Sequence, residues 1–362
     1  MKRFAVLLLI IPVFAMSAAG CVKKYPDVGQ APLHRSFFAM DTIMELTIYE
    51  SRNADSPESY DGDDPGKVMM DEAQKIICDL EGRISVTDPE SVIHKLNSGM
   101  EVPIDEATRK LLSRAVGMCE LTGGNLDISI YPLVRLWGFT TGEYRIPSSD
   151  QIREALENVG YEALTEMIAS AAVQDASVLP DGMQIDLGAV AKGYAAEKLK
   201  SHFVSKGVKS GVISLGGNIL VIGKKPDGSK WRIAIADPYG DGFAGTVSVF
   251  DRSVVTSGVY ERYFEDNGRR YSHIIDPSTG CPVDNKVMSV TVIGDDGMYC
   301  DALSTALTIM GEDAAADYWR LRGRDFEFIL INSDHKMIVT GGLKDIFKAD
   351  DKYGPDAVRY IE

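Results

Sequence analysis

The sequence predicts an α+β fold in which largely antiparallel sheets are flanked by helices. Strand-like segments come mostly in runs rather than alternating with helices, which disfavours a doubly wound parallel sheet. The glycine-rich phosphate loops of doubly wound and P-loop nucleotide-binding proteins are also absent from the sequence. The length of 362 residues allows one large domain or two closely packed subdomains, and we expect two subdomains.

Hydrophobic periodicity predicts the elements of the first half. Residues 35–50 are rich in β-branched and aromatic residues, as in a strand, and an acidic loop follows at 51–66. An apolar stripe with helical spacing covers 67–83. A second helix is predicted at 106–122 and ends at two glycines. A short helix is predicted at 148–158, with serines at its N-terminus as the cap.

The second half contains most of the predicted strands. An apolar strand at 178–187 leads into a helix at 189–205, which is followed by a strand at 211–222. The remaining apolar runs predict strands at 231–236, 244–250, 253–256, 259–264, 269–275, 287–294, 326–332 and 336–340, and helices at 301–310 and 312–321.

The N-terminal 20 residues have the pattern of a bacterial lipoprotein signal peptide. A basic start precedes an apolar run at 4–16 that is too short for an ordinary membrane-spanning helix. Small residues at 17–20 lead directly to Cys21, the position that is lipidated in such proteins. We expect a tether at 21–35, a functional domain at 36–350, and membrane anchoring outside the cytoplasm, on the periplasmic face of the inner membrane. A plain secretory signal is the alternative.

The chain is acidic, with a formal net charge of −15 at pH 7, and loss of Lys2 and Arg3 with the signal leaves −17. No cluster of lysine and arginine offers a phosphate-binding face, so we expect no nucleic-acid partner. A phosphorylated ligand would be repelled on approach unless a divalent cation were bound at its site.

The cysteines are too few for a disulfide scaffold of this length. Cys78, Cys119, Cys281 and Cys300 follow Cys21, and none has the spacing of a metal site. We expect buried free thiols, and a bridge between Cys281 and Cys300 stays open.

The segment 186–195 is the most informative motif. Asp186 ends the predicted strand, and the chain then turns through Gly188 into a helix that carries Lys192. The N-terminus of a helix after such a turn suits an anionic ligand. An acid beside an anion site is expected where a cation or a sugar hydroxyl is also bound.

Two further segments carry residues suited to chemistry. In a helix, Asp301 and Thr305 lie one turn apart on the same face, and their oxygens are hard ligands of the kind that Mg²⁺ prefers. An N-terminal cap with a solvated threonine is the alternative for this pair. His273 lies on a strand-like segment that ends at Asp276-Pro277.

Together with other motifs in the same order, these segments resemble the ApbE family, the FAD:protein FMN transferases. The resemblance covers about residues 37–347. The other motifs are Met40-Asp41-Thr42, the segment 84–91, Gly124-Asn125-Leu126-Asp127-Ile128, the segment 132–139 and Leu215-Gly216-Gly217-Asn218.

The resemblance implies FAD as substrate, Mg²⁺ as cofactor, and transfer of the FMN moiety to a threonine of an acceptor flavoprotein with release of AMP. The acceptor would carry an Asp-Gly-x-Thr-like segment. The implied FAD contacts are Met40, Asn125, Leu126, Asp127, Asp186, Lys192 and Ile275. The implied metal ligands are the Ala189 carbonyl, Asp301 and Thr305. A further position that binds the metal in the family is occupied by Ser304 in this sequence.

His273 is the candidate general base, because an unperturbed imidazole titrates near neutral pH, and Lys192 adds positive charge or a hydrogen bond to the ligand. Two other functions fit the same motifs. One is a Mg²⁺-dependent FAD pyrophosphatase that yields FMN and AMP, and the other is a lipoprotein that binds FAD without chemistry.

Overall fold

A computed structural model of the chain describes residues 32–49, 64–170 and 176–362. Residues 31–362 form one compact unit. The signal peptide, Cys21 and most of the acidic loop lie outside the described residues. Among the described helices, none combines the length and apolar character that crossing a bilayer requires.

The helices and strands that the structure describes agree with a mixed α+β protein. The helices are α1 (Pro65–Ile84), α2 (Val92–Asn97), α3 (Glu106–Leu121), α4 (Tyr131–Leu136), α5 (Ser149–Leu156), α6 (Glu162–Ser170), α7 (Gly188–Ser205), α8 (Gly297–Met310) and α9 (Glu312–Leu321). The strands are β1 (Leu33–Ala39), β2 (Thr42–Tyr49), β3 (Val102–Pro103), β4 (Ala176–Ser177), β5 (Ser210–Leu215), β6 (Asn218–Ile222), β7 (Trp231–Ala236), β8 (Phe243–Val249), β9 (Ser253–Gly258), β10 (Tyr263–Asp266), β11 (Arg269–Ser272), β12 (Val287–Gly294), β13 (Glu327–Asn332), β14 (Met337–Thr340), β15 (Phe347–Ala349) and β16 (Val358–Ile361).

A nine-stranded sheet forms the centre of the described chain, in the order β1-β2-β5-β6-β9-β12-β13-β14-β16. Every neighbouring pair is antiparallel except β14 and β16. The prediction of a largely antiparallel α+β fold is therefore confirmed. The last strand lies beyond residue 350, so the sheet extends past the predicted domain boundary at that end, and β1 begins before the predicted boundary at 36.

The two faces of this sheet are covered differently. Helices α1, α3 and α7 pack on the β2 and β5 side, and α8 and α9 pack over β9, β12 and β13. The opposite face is covered by a second sheet, in the order β15-β8-β7, through residues such as Ile233, Val247 and Ile329. The described chain thus has three layers, with α7 and α8 side by side on the helical face.

Two predicted strands are hairpins in the structure. The segment 35–50 turns at Met40 and Asp41, whose φ angles of 48° and 59° are those of a tight two-residue hairpin turn. Met40 therefore lies in a turn and not on a strand. The segment 211–222 turns at Gly216-Gly217, with φ angles of 54° and 88° that glycine adopts without strain.

Three other predictions near the functional motifs are wrong. The segment 178–187 is not a strand, because Pro180 lacks an N–H and the chain turns there; only Gln184 forms a bridge, to Ile130. β11 ends at Ser272, so His273 lies just beyond the strand. Helix α8 begins at Gly297 with Asp296 as its cap, which places Asp301 inside the helix and excludes a capping role for it.

The four described cysteines are free thiols. Cys119 and Cys300 are buried, as expected, whereas Cys281 is half-buried and Cys78 is exposed. Cys281 and Cys300 therefore form no bridge in this structure.

Candidate active site

Several chain reversals meet at one end of the nine-stranded sheet. Met44 pairs with Leu215, so the β1–β2 turn and the β5–β6 turn lie at the same end. A side chain at Gly216 would overlap Thr42, and the Gly217 carbonyl accepts a 3.4 Å hydrogen bond from the N–H of Thr256. The sequence motifs at 40–42 and 215–218 are thus brought together, next to Thr256 of β9.

Helices α7 and α8 cross closely above this end of the sheet. The N–H of Gly193 in α7 donates a 2.8 Å hydrogen bond to Oδ2 of Asp301 in α8. A Cβ at position 193 would overlap the Gly297 carbonyl and lie 2.8 Å from the Asp301 Cβ, so this approach requires glycine. In an α-helix the same N–H points towards the carbonyl four residues earlier, which is that of Ala189. The Asp301 carboxylate thus meets α7 at Gly193, about one helical turn after Ala189.

Asp301 is an acid held in an unusual environment. Its side chain is buried, and burial raises the pKa of the carboxyl to about 6 against the opposing effect of the Lys192 charge. Lys192 is half-buried, and its ammonium group makes no hydrogen bond or ion pair with the described residues, although its charge acts on Asp301, Glu261 and His273. The lysine is thus available to an anionic ligand.

Three hydroxyl groups extend the candidate site beyond Asp301. The Ser304 hydroxyl donates to the Asp301 carbonyl at 2.8 Å and lies 2.7 Å from the Ser257 hydroxyl. The Ser257 hydroxyl lies 3.3 Å from that of Thr305, which is half-buried. Ser304 is fully buried and engaged within the protein, so Thr305 and Ser257 are the hydroxyls that face the site.

These oxygen donors fit Mg²⁺. No group of three or more His, Cys, Asp or Glu side chains in the described part of the chain is placed to hold a metal ion. Mg²⁺ does not need such a group, because it takes one or two carboxylates and completes its shell with phosphate oxygens and water. Asp301 supplies a carboxylate, Thr305 a hydroxyl and Ala189 a carbonyl, all of them hard oxygen ligands. The buried amide of Asn218 next to Asp301 has no partner among the described residues, which marks the same place as incomplete.

His273 is held as a neutral imidazole. Its Nδ1 lies 3.1 Å from the Arg262 carbonyl, which can only accept, so Nδ1 carries the proton and Nε2 keeps a free lone pair. Desolvation, together with the charges of Arg262 and Lys192, lowers the pKa of His273 to about 4. The ring is therefore neutral at pH 7, the form that a general base requires.

Asp186, Glu261 and His273 lie around Arg262, and the partly exposed region between them is called the recess. Each keeps some solvent exposure, yet each is surrounded by enough protein for desolvation to be the main cause of its pKa shift. Burial raises the pKa of Glu261 to about 7 and raises that of Asp186, whose Oδ1 also accepts a 2.6 Å hydrogen bond from the Gly188 N–H. The charge of Arg262 acts on all three groups, so they share one electrostatic environment.

Met40 lies at the edge of this region. Its N–H donates a 2.7 Å hydrogen bond to Oε1 of Glu81 in α1, and its side chain is half-buried. Arg262 extends towards the same turn, with Nη1 3.9 Å from Oδ2 of Asp41. The turn is therefore tied both to α1 and to the residue that holds His273.

The side chains of the segment 125–127 are occupied within the protein. Asp127 accepts hydrogen bonds from the backbone and hydroxyl of Ser129, at 2.8 and 2.6 Å, and from the N–H of Tyr161 at 3.1 Å. Asn125 donates to the Thr122 carbonyl, and Leu126 is buried. The chain just after this segment contacts Asp186 through its backbone, because the N–H of Asp186 donates to the Ile128 carbonyl at 2.8 Å.

Ile275 has a similar position. Its side chain is buried in a cluster with Leu133, Trp137 and Phe139, and its backbone bridges to Pro282. The side chain of Ile275 is therefore part of the core below the recess, and only its backbone is placed to meet a ligand there.

Sequence reasoning missed four residues of this site: Asn218, Ser257, Glu261 and Arg262. Asn218 belongs to a motif named above, but no local pattern shows that these four side chains converge on Asp301 and His273.

The three-layer, largely antiparallel fold brings an acid, a lysine and a histidine, Asp301, Lys192 and His273, into one region. The ApbE family model matches residues 40–330, and the chain belongs to this family.

Similar proteins and solved structures support the assignment to this family. The chain is 31% identical over 327 residues to the FAD:protein FMN transferase of Treponema pallidum, covering 86% of this chain and 87% of that one. It is 32% identical over 304 residues to the Vibrio cholerae protein of the same name, covering 82% and 85%. The ApbE protein of Thermotoga maritima superposes with a TM-score of 0.75 at 30% identity over 87% of this chain and 99% of that one. The flavinyl transferase ApbE of Pseudomonas stutzeri superposes with a TM-score of 0.74 at 26% identity over 88% and 98%.

Proposed function

We propose that this chain is a Mg²⁺-dependent FAD:protein FMN transferase that modifies a threonine hydroxyl of an acceptor flavoprotein and releases AMP. The observation that supports it most is the position of Lys192, whose charge acts on both Asp301 and His273. The names of the relatives supply the substrate class.

Different residues would bind the cation, the diphosphate and the rest of the nucleotide. Asp301, Thr305 and the Ala189 carbonyl would hold the cation, and Lys192 would meet the diphosphate of FAD. Bound Mg²⁺ supplies charge neutralisation at the diphosphate, which also offsets the repulsion from an acidic protein. Asp186 and the backbone of residues 125–128 would hold the nucleotide from the other side of the recess.

His273 would receive the proton of the threonine hydroxyl on Nε2. The hydroxyl oxygen then bonds to the phosphorus on the FMN side, the bond from that phosphorus to the bridging oxygen breaks, and AMP leaves with the electron pair. The proton passes from the imidazole to solvent or to AMP. An anionic diphosphate beside the ring favours the protonated imidazole, which opposes the effect of Arg262 and Lys192 and strengthens the base.

One incubation tests this function against its alternatives. FAD, Mg²⁺ and an acceptor domain with an Asp-Gly-x-Thr-like segment are mixed with the enzyme, and products are read by gel fluorescence and chromatography. A transferase gives a fluorescent acceptor band and AMP, and the band is lost when the acceptor threonine is replaced by alanine. Free FMN with AMP and no band would identify a pyrophosphatase, and unchanged FAD would identify a carrier.

Asp301→Ala in the same assay tests the metal assignment. We expect transfer to be abolished while the melting temperature and circular dichroism remain those of a folded protein. Normal Mg²⁺-dependent turnover in this variant would remove Asp301 from the mechanism.

We also propose that the mature protein is a lipoprotein anchored through Cys21 on the periplasmic face of the inner membrane. The support is the sequence pattern of residues 1–21, which lie outside the described structure. Metabolic labelling with a fatty-acid analogue tests it, and Cys21→Ser should remove both the label and the membrane association.

A further inference from the structure

Asn218 lies in the central sheet, beneath the helical layer that carries the candidate cation site. It is the first residue of β6 and pairs with Val255 of β9, and its side chain is fully buried. Leu220 lies on the same face of β6 and packs in the cluster that contains α7, so Asn218 also faces the helical layer. The site of the Gly193–Asp301 contact lies directly in that layer.

The side-chain amide of Asn218 has an unmet requirement. Neither Oδ1 nor Nδ2 has a hydrogen-bond partner among the described residues. A buried polar group without a partner destabilises a protein by about 1–3 kcal/mol, whereas an apolar residue of similar size would carry no such cost. An amide at this position is therefore unfavourable for stability alone, which points to a use in binding.

The Asp301 carboxylate identifies that use. The Asn218 side chain lies within reach of this carboxylate but outside the geometry of an ordinary hydrogen bond, on the face of β6 that meets α7. The Gly193 N–H already holds Oδ2 of Asp301 at 2.8 Å. A small rotation of the amide would add a second donor to the same carboxylate and leave the remaining acceptor positions for a cation.

We propose that Asn218 is a positioning residue of the cation site, whose amide closes onto the Asp301 carboxylate when Mg²⁺ binds. This inference rests on the proposed function, because it requires Asp301 to be a metal ligand. Groups that orient a metal ligand in this way typically contribute a factor of 10–100 to metal affinity. Asn218 would act through Asp301 and need not touch the metal.

The test compares Mg²⁺ affinity with metal-free stability in Asn218→Leu. Mg²⁺ alone is titrated into the purified protein, with and without FAD, and its binding is followed by calorimetry and by the rise in melting temperature. We expect roughly 10- to 100-fold weaker Mg²⁺ binding, with a metal-free melting temperature equal to or above that of the unaltered protein.

A matched control is Ser210→Ala. Ser210 is also buried and its hydroxyl also lacks a partner among the described residues, but it lies at the opposite end of β5. We expect its Mg²⁺ affinity to equal that of the unaltered protein. If Asn218→Leu does not fold, Asn218→Ser replaces it, and an affinity between those of the unaltered protein and Asp301→Asn is expected.

Two results overturn the proposal, and they differ. If the unaltered protein binds Mg²⁺ and the affinities of the Asn218 variants are within twofold of its affinity, Asn218 has no positioning role. A loss of metal-free stability without a loss of affinity would assign Asn218 to the core. If the unaltered protein and Asp301→Asn respond equally weakly to Mg²⁺, the metal site of the proposed function fails, and the role of Asn218 fails with it.

Discussion

The N–H of Gly193 and the Oδ2 of Asp301 are joined by a 2.8 Å hydrogen bond across 108 residues of sequence. This bond fixes α7, which carries Ala189 and Lys192, against α8, which carries Asp301 and Thr305. The proposed ligands of one cation thus come from two helices that meet closely at Gly193. The Arg114 side chain supports the same approach by pairing with Glu197 of α7 at 2.6 Å and with Asp296, the cap of α8, at 2.8 Å.

Gly193→Ala should separate the two helices. The new Cβ would overlap the Gly297 carbonyl, a backbone atom that cannot move aside cheaply. We expect a loss of about 1–3 kcal/mol in the free energy of unfolding, the usual cost of overpacking, and weaker Mg²⁺ binding. Denaturant unfolding and Mg²⁺ titration measure the two effects.

The control for this variant is Gly82→Ala in α1, where a Cβ meets no atom within 4 Å. It should be neutral or stabilising by about 0.5–1 kcal/mol, because alanine favours a helix interior. Equal effects of the two substitutions would show that the α7–α8 approach is not critical.

Asp301 should make the stability of the metal-free protein depend on pH. Burial raises the pKa of this carboxyl from 3.8 to about 6, so the folded state binds more protons than the unfolded chain between those values. The contribution of Asp301 to stability is therefore most favourable below pH 4 and falls as pH rises through 6. Asp301→Asn, which keeps an oxygen to accept from Gly193, should stabilise the metal-free protein at pH 8 by up to about 3 kcal/mol.

Other groups also titrate, among them His273, whose lowered pKa changes stability with pH in the opposite direction. The difference in the free energy of unfolding between Asp301→Asn and the unaltered protein isolates the effect of Asp301. Urea unfolding at several pH values measures it. The difference should shrink as pH falls from 8 to 4, and a difference independent of pH would contradict the raised pKa. Addition of Mg²⁺ at pH 8 should stabilise only the unaltered protein.

Much of the fold follows from the sequence because apolar periodicity is local. The predicted bounds of 231–236, 287–294 and 312–321 agree with β7, β12 and α9 without shift. The hairpin turn at Met40-Asp41 was missed because neither residue is a glycine, although both have positive φ. Strand β16 was missed because its place depends on a parallel pairing with β14, which no local pattern encodes.

The site was less predictable than the fold. The spacing of Asp301 and Thr305 shows that they share a helix face, but their contact with α7 depends on tertiary packing. Asp127 illustrates the reverse case: its carboxylate is taken up by Ser129 two residues on, a local turn that competes with any ligand contact. The missing partner of Asn218 is likewise a property of packing and not of sequence.

His273→Ala should keep FAD binding and lose transfer. The neutral ring presents Nε2 as a base, and loss of general-base catalysis typically lowers a rate by 10²–10⁴-fold. Single-turnover labelling of the acceptor at saturating FAD measures the rate, and flavin fluorescence measures binding. An unchanged rate would assign the base to another group. His273→Gln keeps a polar side chain without a base of useful pKa, so its rate should be equally low.

Lys192→Met should weaken FAD binding through loss of charge. Lys192 makes no ion pair with the described residues, and a charge-assisted hydrogen bond to a phosphate contributes about 1.5–3 kcal/mol, which corresponds to roughly a 10- to 150-fold change in Kd. The matched control is Lys198→Met, which removes the same charge from an exposed position on the same helix. Fluorescence titration of FAD at low and high salt should show weaker and less salt-dependent binding only in Lys192→Met, because the interaction lost is electrostatic. If both variants weaken binding equally, the effect is one of net charge, and Lys192 does not contact the diphosphate.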